Sequence, residues 1–326
     1  MAEATLRGAG ATASRLVVGT DTEAVALERE LAAWKGTEAA LLFGSGYAAN
    51  LGVLTALLGR GDAVFSDSLN HASIIDGCRL SGAAIHRYGH CDADHLASLL
   101  ESAGDAHRKL IVTESVFSMD GDVAPLAEIA ELAERHDAAL VVDEAHAAGV
   151  FGPRGEGLVR ELGLGDRVDL TIGTLGKGFG VYGAYVAGAQ VWIDWLVNAC
   201  RPFVFTTALP PAVVGGVRAA LELVSEAGDL REFLRARAQE FRARLRALGL
   251  DTAGSTTHVV PIVVGSNELA LGFAEHLERN GVLGIAIRPP TVPEGTARIR
   301  LSLTAAHTDE HLEQALAAVR AAAGAL

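Results

Sequence analysis

Residues 169–183 read DLTIGTLGKGFGVYG, a short apolar run followed by a turn that is rich in glycine. Lys177 stands in this turn with a glycine on each side, and it is one of only three lysines among the 27 lysine and arginine residues. A lysine, unlike an arginine, can lose its proton and attack a carbonyl carbon as a free amine. Flanking glycines let the backbone approach a ligand closely. The stretch therefore predicts either an ordinary glycine-rich turn with a solvated lysine or a nucleophilic lysine at a ligand site.

Outward from this turn, short apolar runs alternate with segments of helical periodicity. We predict strands at 39–43, 63–67, 83–88, 110–115, 139–146, 170–172 and 184–188, with helices between most of them. This alternation is typical of an α/β fold with a mostly parallel central sheet flanked by helices. Ligands bind such sheets at the carboxyl ends of the strands. The lysine turn should therefore share one edge with GSGY (44–47), TESVFSMDG (113–121) and DEAH (143–146).

The chain is long enough for two domains. Two long helices are predicted near 211–227 and 230–248, after the Pro210-Pro211 pair. A shorter α+β pattern follows them, with one of its strands predicted at 282–287. We therefore predict a large domain at 1–228 and a smaller C-terminal domain at 229–326. Residues 1–20 are polar and glycine-rich, and we predict a loop there.

Composition excludes several classes of protein. The net charge of −13 argues against nucleic acid or an anionic membrane as the main partner. No apolar run is long enough to span a bilayer, and the first residues lack the basic and apolar regions of a secretory signal. Three widely spaced cysteines fit a reduced protein rather than a disulfide framework. We expect a cytoplasmic location.

The run GSGYAA at 44–49 follows a predicted strand and precedes a predicted helix. It fits the dinucleotide fingerprint G-x-G-x-x-[GA], with Asp67 at a suitable distance for a ribose contact. A nicotinamide-dependent dehydrogenase is therefore one alternative. Exposed amides at a helix start bind phosphate in either interpretation, so we predict a phosphate cradle at this turn.

The run DEAH at 143–146 ends the most apolar predicted strand. A helicase would need a G-x-x-x-x-G-K-[ST] loop upstream, and the sequence has none. A carboxylate at the end of a buried strand needs a cationic partner. For Asp143 this partner could be a protonated pyridine nitrogen or a structural arginine.

Two other groups of residues are open to interpretation. His86, His90, Cys91 and His95 are close in sequence, but their spacing does not match a metal site, and we expect no metal. Arg298 and Arg300 alternate in ARIRLSL and should share one face of a strand. They predict either ordinary surface arginines or one that pairs with a carboxylate.

Together these features resemble the α-oxoamine synthases, which are pyridoxal-phosphate enzymes of fold type I. A lysine Schiff base and an aspartate at a ring nitrogen are the binding signature of this cofactor. The resemblance covers essentially the whole chain, and its matching runs are GSGYAAN, HASIIDG, VTESVFSMDGDVAPL, LVVDEAH, TLGKGFGV, FVFTTALPP and IRPPTVPEGTARIRLSLTAAHT.

The resemblance implies a role for each matching residue. Lys177 would form the Schiff base with pyridoxal 5'-phosphate and move the proton at the substrate Cα, with Asp143 and His71 as the other catalytic residues. The cofactor would be bound by Gly46, Tyr47, His71, Ser118, Asp143, His146, Thr174 and Lys177, and by Thr206 and Thr207 reaching in from the partner subunit of a homodimer. Arg300 would take the amino-acid carboxylate, with Thr291 beside the substrate.

The resemblance also implies a decarboxylating condensation of an amino acid with an acyl thioester. The runs SLTAAHT and PPTVPEGTARIRL favour the members of biotin biosynthesis, which use L-alanine and a pimeloyl thioester of coenzyme A or acyl carrier protein. The alternatives within the family are glycine C-acetyltransferase, 5-aminolevulinate synthase and serine palmitoyltransferase. A cofactor-binding protein without activity is a further alternative, because the family segment with the Asn-Asp-Tyr-Leu-Gly-Leu stretch is expected to be missing.

Overall fold

The structure is a computed structural model that describes residues 2–104 and 106–324. The chain divides into two compact units. The first unit comprises Met1–Ser115 and Ala124–Gly228, and the second comprises Val116–Val123 and Asp229–Leu326. The short segment Val116–Val123 thus belongs to the C-terminal unit although its sequence neighbours on both sides belong to the first.

The first unit is built on a seven-stranded sheet in the order β1-β7-β6-β5-β4-β2-β3. Its strands are β1 (Ala39–Phe43), β2 (Ala63–Asp67), β3 (Ala84–Tyr88), β4 (Lys109–Glu114), β5 (Ala138–Asp143), β6 (Leu170–Thr174) and β7 (Ala184–Gly188). β7 runs antiparallel to both of its neighbours, β1 and β6, and the other pairs of adjacent strands are parallel. The carboxyl ends of β4, β5 and β6 therefore lie side by side, as the predicted mostly parallel sheet requires.

Helices of the first unit connect these strands. They are α1 (Ala2–Arg7), α2 (Thr22–Lys35), α3 (Gly46–Leu57), α4 (Ala72–Ser81), α5 (Ala93–Ser102), α6 (Leu126–Arg135), α7 (Leu158–Glu161), α8 (Gln190–Ala199), α9 (Arg201–Val204) and α10 (Pro211–Glu226), with a π-helix at Arg15–Gly19 and a 3₁₀ turn at Gly165–Arg167. Side-chain caps fix the start of several of them. Asp21, Ser45 and Asp92 accept hydrogen bonds from backbone N–H groups in the first turn.

The core of the first unit lies on both faces of the sheet. In β1, Leu41 and Phe43 pack into one buried cluster, while Leu42 joins Leu31 and Trp34 in another. Successive side chains of a strand point to opposite faces. Because helices cover both faces, the strands appear in sequence as continuous apolar runs.

The second unit has a three-stranded antiparallel sheet in the order β8-β10-β9, with β8 (Val259–Gly265), β9 (Ile285–Ile287) and β10 (Ala297–Ser302). Its helices are α11 (Gly228–Ala247), α12 (Asn267–Arg279) and α13 (Asp309–Ala323). The segment Val116–Val123 is tied to this sheet, since the Thr257 hydroxyl donates to the Gly121 carbonyl at 2.9 Å. A side chain on Gly121 would meet the Val259 carbonyl, so the contact requires glycine.

Three local predictions were wrong. The N-terminal residues contain a helix and a π-helix where we predicted a loop, and the first of these is rich in strong helix formers. Strand β5 ends at Asp143, because the chain then turns and the N–H groups of Ala147 and Ala148 bond to the Glu144 carbonyl. Strand β9 begins only at Ile285 rather than at 282. Among the described helices, none has the length and apolar character needed to cross a bilayer.

Candidate active site

Lys177 lies in the turn that follows β6, and this turn contacts the one that follows β5. The Lys177 Nζ atom is 2.8 Å from Nε2 of His146. The amine is exposed, whereas Asp143 at the end of β5 is buried. Because β5 and β6 are adjacent and parallel, the two turns meet at the same edge of the sheet. The structure therefore places Lys177, His146 and Asp143 at the same edge of the sheet.

Close backbone contact explains one of the glycines beside the lysine. A Cβ atom at Gly178 would lie 2.4 Å from the Ala148 carbonyl oxygen, which is far inside contact distance. A Cβ atom at Gly176 would meet only the Thr174 hydroxyl, at 3.8 Å. Only the glycine after the lysine is required by packing. It lets the lysine turn rest directly on the turn after β5.

Asp143 is a buried carboxylate held by two hydrogen bonds. Its Oδ2 accepts from the Asn50 amide at 2.6 Å, and its Oδ1 accepts from the Ala145 N–H at 2.8 Å. No arginine or lysine in the described part of the chain forms an ion pair with it. The described residues therefore do not support the alternative in which an arginine of the protein pairs with Asp143. A buried anion of this kind fits a ligand that brings its own positive charge, such as a pyridinium nitrogen.

The neighbouring carboxylate is neutralised within the protein. Glu144 is fully buried and forms an ion pair with Lys35, whose ammonium also donates to the Glu156 carbonyl at 2.5 Å. Its other oxygen accepts from the Val159 N–H at 2.9 Å. Glu144 and Asp143 are thus adjacent in sequence but have different partners. Of these two carboxylates, Asp143 is the one without a cationic side chain as a partner among the described residues.

His71 caps the start of α4 and lies close enough to Asp143 and Lys177 for their charges to influence its ring. Its Nδ1 accepts from the Ser73 N–H at 3.2 Å, and the backbone N–H of His71 donates to the Glu114 carboxyl at 2.6 Å. Burial lowers the pKa of His71, an effect that the Asp143 charge opposes and the Lys177 charge reinforces. These contacts hold the imidazole at the same edge of the sheet as Asp143.

The predicted phosphate cradle lies at the first turn of α3. Gly46 and Tyr47 are its first two residues, so their N–H groups lie among those that a helix start leaves without helical partners. The Ser45 hydroxyl accepts from the Ala48 N–H at 3.2 Å and leaves the first two N–H groups to a ligand. A Cβ atom at Gly46 would come within 3.9 Å of Thr174, which ends β6. The structure thus brings the helix start close to the lysine turn.

Asp67 does not act in the way the dinucleotide fingerprint requires. Its carboxylate accepts from the Leu69 and Cys91 N–H groups at 2.8 Å and lies 3.0 Å from Nδ1 of His90. It therefore fixes the turns after β2 and β3. His90, Cys91 and Asp67 come close enough to share a metal ion, but the Asp67 oxygens already accept these hydrogen bonds.

Thr206 and Thr207 are exposed residues of the first unit. They line a small cavity with Arg15, Phe43 and Gly44. Thr207 also forms an isolated β-bridge with Ser14. The structure therefore places both threonines beside Gly44, in the turn that precedes α3.

Ser118, Thr291 and Arg300 all belong to the second unit. Arg300 donates to the Ser118 carbonyl and to the Ser302 hydroxyl, and burial lowers its pKa. No carboxylate in the described part of the chain pairs with Arg300, whereas Arg298 pairs with Asp120. Thr291 is exposed after Pro290. Of the two alternating arginines, Arg298 therefore pairs with a carboxylate, whereas Arg300 has no carboxylate partner among the described residues.

Sequence reasoning missed three residues at this edge of the sheet. Asn50 and Ser73 are buried and contact Asp143 and His71. Glu114 is the strand partner of Asp143 on β4, and burial raises its pKa well above the usual range, with the Asp143 charge adding to the shift. The available signal was a polar residue at the end of an apolar strand or within an otherwise apolar helix. A polar residue in such a position does not reveal which distant residue it contacts.

Comparison with known proteins decides the family. The model of the class I and II aminotransferase family matches residues 1–319. The chain belongs to this family. An 8-amino-7-oxononanoate synthase of Anaeromyxobacter dehalogenans is 54% identical over 321 residues, which cover 98% of this chain and 80% of that protein. The predicted resemblance to the α-oxoamine synthases is confirmed.

Solved structures show the same fold. A serine palmitoyltransferase from S. paucimobilis with bound pyridoxal phosphate and myriocin superposes with a TM-score of 0.96 at 34% identity, covering 99% of this chain and 82% of that one. An 8-amino-7-oxononanoate synthase from Francisella tularensis gives a TM-score of 0.86 at 27% identity, covering 99% of this chain and 91% of that one. The predicted fold type I is confirmed.

Gly178→Ala is expected to displace the lysine turn, because its methyl group would overlap the Ala148 carbonyl. We expect the midpoint of thermal unfolding to fall by several degrees, as for overpacking that costs about 1–3 kcal/mol. Thermal unfolding followed by circular dichroism measures this change. Gly176→Ala is the matched control and should leave the midpoint nearly unchanged; equal midpoints for both variants would contradict the predicted contact.

Proposed function

We propose that this protein condenses L-alanine with a pimeloyl thioester, releasing CO₂ and the thiol and forming 8-amino-7-oxononanoate for biotin biosynthesis. The name of the curated relative at 54% identity supports this reaction. The observation that carries the proposal is the meeting of Lys177, His146 and the buried Asp143 at one edge of the sheet. The predicted class of enzyme, a pyridoxal-phosphate-dependent acyltransferase, is confirmed by the same comparisons.

Pyridoxal 5'-phosphate is the cofactor, as predicted, and the solved serine palmitoyltransferase contains it. The residues at this edge of the sheet have the chemistry that pyridoxal 5'-phosphate needs. Asp143 offers a buried carboxylate for the ring nitrogen, Lys177 an amine for the aldehyde carbon, and the start of α3 two N–H groups for the phosphate. When bound, the cofactor draws electrons away from the Cα atom of an amino acid.

The side chains have distinct tasks in this proposal. The Lys177 amine removes the Cα proton of alanine and later returns a proton to the product. Asp143 keeps the ring nitrogen protonated through its negative charge. His71 would cover one face of the cofactor ring, and His146 would hold the ring hydroxyl. A bond forms between Cα and the thioester carbonyl carbon, the thiolate leaves, and the former alanine carboxylate departs as CO₂.

Serine palmitoyltransferase is the second candidate activity, because a solved member matches this chain with a TM-score of 0.96. Its sequence identity of 34% is lower than the 54% of the 8-amino-7-oxononanoate synthase. Side chains rather than the fold decide which amino acid is accepted. The two candidates differ in their first substrate, L-serine or L-alanine, and a spectroscopic titration separates them.

The test of the function begins with the visible spectrum of the purified protein. We expect a yellow band that borohydride traps on Lys177 and that changes with L-alanine. The pimeloyl thioester should then be consumed with release of CO₂. A band that responds only to glycine or L-serine would move the substrate within the family. Loss of thioester consumption with an intact alanine response would support a binding protein without activity.

Lys177→Ala is expected to abolish covalent attachment of the cofactor, because neither of the other two lysines lies in the turn after β6. Mass spectrometry after borohydride reduction should show no added cofactor mass and activity should be lost. Lys109→Ala is the matched control, since Lys109 begins β4 at the opposite edge of the sheet. An unchanged trapped mass in Lys177→Ala would overturn the assignment.

Arg300 is proposed to bind the carboxylate of the amino acid, with Thr291 beside the substrate and Ser118 at the cofactor. Arg300→Ala should raise KM for L-alanine by about tenfold or more, because a hydrogen bond to a charged group contributes roughly 1.5–3 kcal/mol. Steady-state kinetics with saturating thioester measures this effect, and the cofactor band should remain. Arg300→Lys keeps the positive charge but loses the planar guanidinium that can bind a carboxylate with two hydrogen bonds. Its KM for L-alanine should therefore lie between those of the wild type and Arg300→Ala. An unaltered KM in Arg300→Ala would remove Arg300 from this role.

We propose a homodimer in which Thr206 and Thr207 reach the cofactor phosphate of the partner. The support is local: Val17, Val18 and Phe205 near these threonines are 73%, 78% and 70% exposed. Such apolar side chains are typical of an interface.

The two buried thiols, Cys78 and Cys200, favour a reducing, cytoplasmic location. We further propose that the first unit is the cofactor-binding domain, which matches the predicted 1–228 except for Val116–Val123, and that the second unit is the smaller domain.

Mixed dimers test the shared site. Lys177→Ala subunits are co-refolded with subunits that carry Thr206→Ala and Thr207→Ala. If the threonines serve the partner, the mixed dimer contains one intact site, and its activity should exceed that of either parent. Lys177→Ala subunits refolded with Lys177→Ala subunits serve as the control. Activity no higher than that of the parents would show that the threonines act within their own subunit.

A further inference from the structure

A chain of buried hydrogen bonds connects Asp143 with His71. The amide nitrogen of Asn50 donates to Asp143 Oδ2 at 2.6 Å and to the Ser73 hydroxyl at 3.0 Å. The Ser73 hydroxyl in turn lies 2.7 Å from Nδ1 of His71. Asn50 and Ser73 are 2% and 0% exposed. They come from α3 and α4, two helices that pack against each other.

The direction of these hydrogen bonds follows from their chemistry. The Asn50 amide nitrogen carries two hydrogens and can only donate, so one hydrogen goes to each partner. Turning the amide over would set its oxygen against the Asp143 carboxylate. The Ser73 oxygen therefore accepts from Asn50, and its single hydrogen is available to His71. Nδ1 also accepts the Ser73 N–H, at 3.2 Å.

A ring nitrogen that accepts the Ser73 N–H carries no hydrogen of its own, so the Ser73 hydroxyl is then the donor to it. His71 is then the neutral tautomer with its hydrogen on Nε2. Burial lowers the pKa of His71, which agrees with a neutral ring. The charged groups that influence it are Asp143, which opposes this shift, and Lys177, which adds to it. The Glu114 carboxyl accepts the backbone N–H of His71.

The orientation of Asn50 leaves one of its own atoms without a partner. The amide oxygen Oδ1 is buried and accepts no hydrogen bond from any residue that the structure describes. An unpaired buried acceptor costs about 1–3 kcal/mol. The two bonds donated by the same amide must outweigh this cost. The orientation of the Asn50 side chain is therefore determined by the two hydrogen bonds that its N–H groups donate.

We propose that Asn50 and Ser73 are positioning residues that couple Asp143 to His71 as one hydrogen-bonded unit. Asn50 stabilises the charged form of Asp143, and Ser73 selects the neutral Nε2–H tautomer of His71. A neutral imidazole can cover the face of a positively charged ring without repulsion, whereas an imidazolium would oppose it. This inference rests on the proposed roles of Asp143 and His71 and adds two residues that support them.

The first test uses the wild-type holoenzyme. Nitrogen NMR of protein labelled at histidine reports the tautomer of each ring, and a His71→Gln sample assigns the His71 signals. We expect an Nε2–H signal for His71 at neutral pH. A hydrogen on Nδ1, or a charged ring at that pH, would overturn the proposal. The readout needs no turnover, so the proposal stands or falls separately from the substrate assignment.

The second test compares serine variants. Ser73→Ala removes a donor to the neutral ring, so the His71 titration and the acidic limb of the pH profile of kcat/KM should move to higher pH. We expect kcat to fall about tenfold with KM for L-alanine nearly unchanged, close to the removal of one hydrogen bond. Ser73→Thr keeps the hydroxyl and should restore both.

The control is Ser98→Ala, because Ser98 is exposed and its hydroxyl donates only to the Asp94 carbonyl. It should match the wild type in the NMR titration and in kcat. An unmoved His71 titration in a folded Ser73→Ala variant would overturn the proposal. If Ser73→Ala does not fold, the tautomer measured in the wild type still decides it.

Discussion

Burial of negative charge at the carboxyl end of β5 is the constraint on which the site depends. Asp143 and Glu144 are neighbours in sequence and only 5% and 0% exposed. A buried carboxylate without compensation costs several kcal/mol. The protein supplies Lys35 to Glu144 but gives Asp143 only neutral donors. This arrangement is what the proposed role of Asp143 at a pyridinium nitrogen requires.

The position of the reactive amine follows from the same sheet. β5 and β6 are parallel neighbours, so the turns after them lie side by side. Contact between Gly178 and the Ala148 carbonyl brings the two turns together, and Lys177 then reaches His146. Carboxylate, imidazole and amine are thus placed by backbone packing rather than by flexible loops, which favours preorganised chemistry.

The predicted strands and most predicted helices could be inferred from local periodicity, and so could the lysine turn and the helix start at Gly46. Asn50 could not, because its partner Asp143 is 93 positions away and nothing in the local pattern indicates that contact. For the same reason the sequence did not show that Val116–Val123 packs with the C-terminal unit. The helix at Ala2–Arg7 was missed because short helices give little periodic signal.

The sequence by itself determined the alternation of strands and helices, the rare lysine between glycines and the family resemblance. These are properties of residue type and spacing along the chain. Tertiary structure alone decided that Arg298 pairs with Asp120 while Arg300 has no carboxylate partner among the described residues. It also decided that Glu144 is neutralised while Asp143 is not. Two residues with equivalent local patterns differ only in their distant neighbours, and folding determines those neighbours.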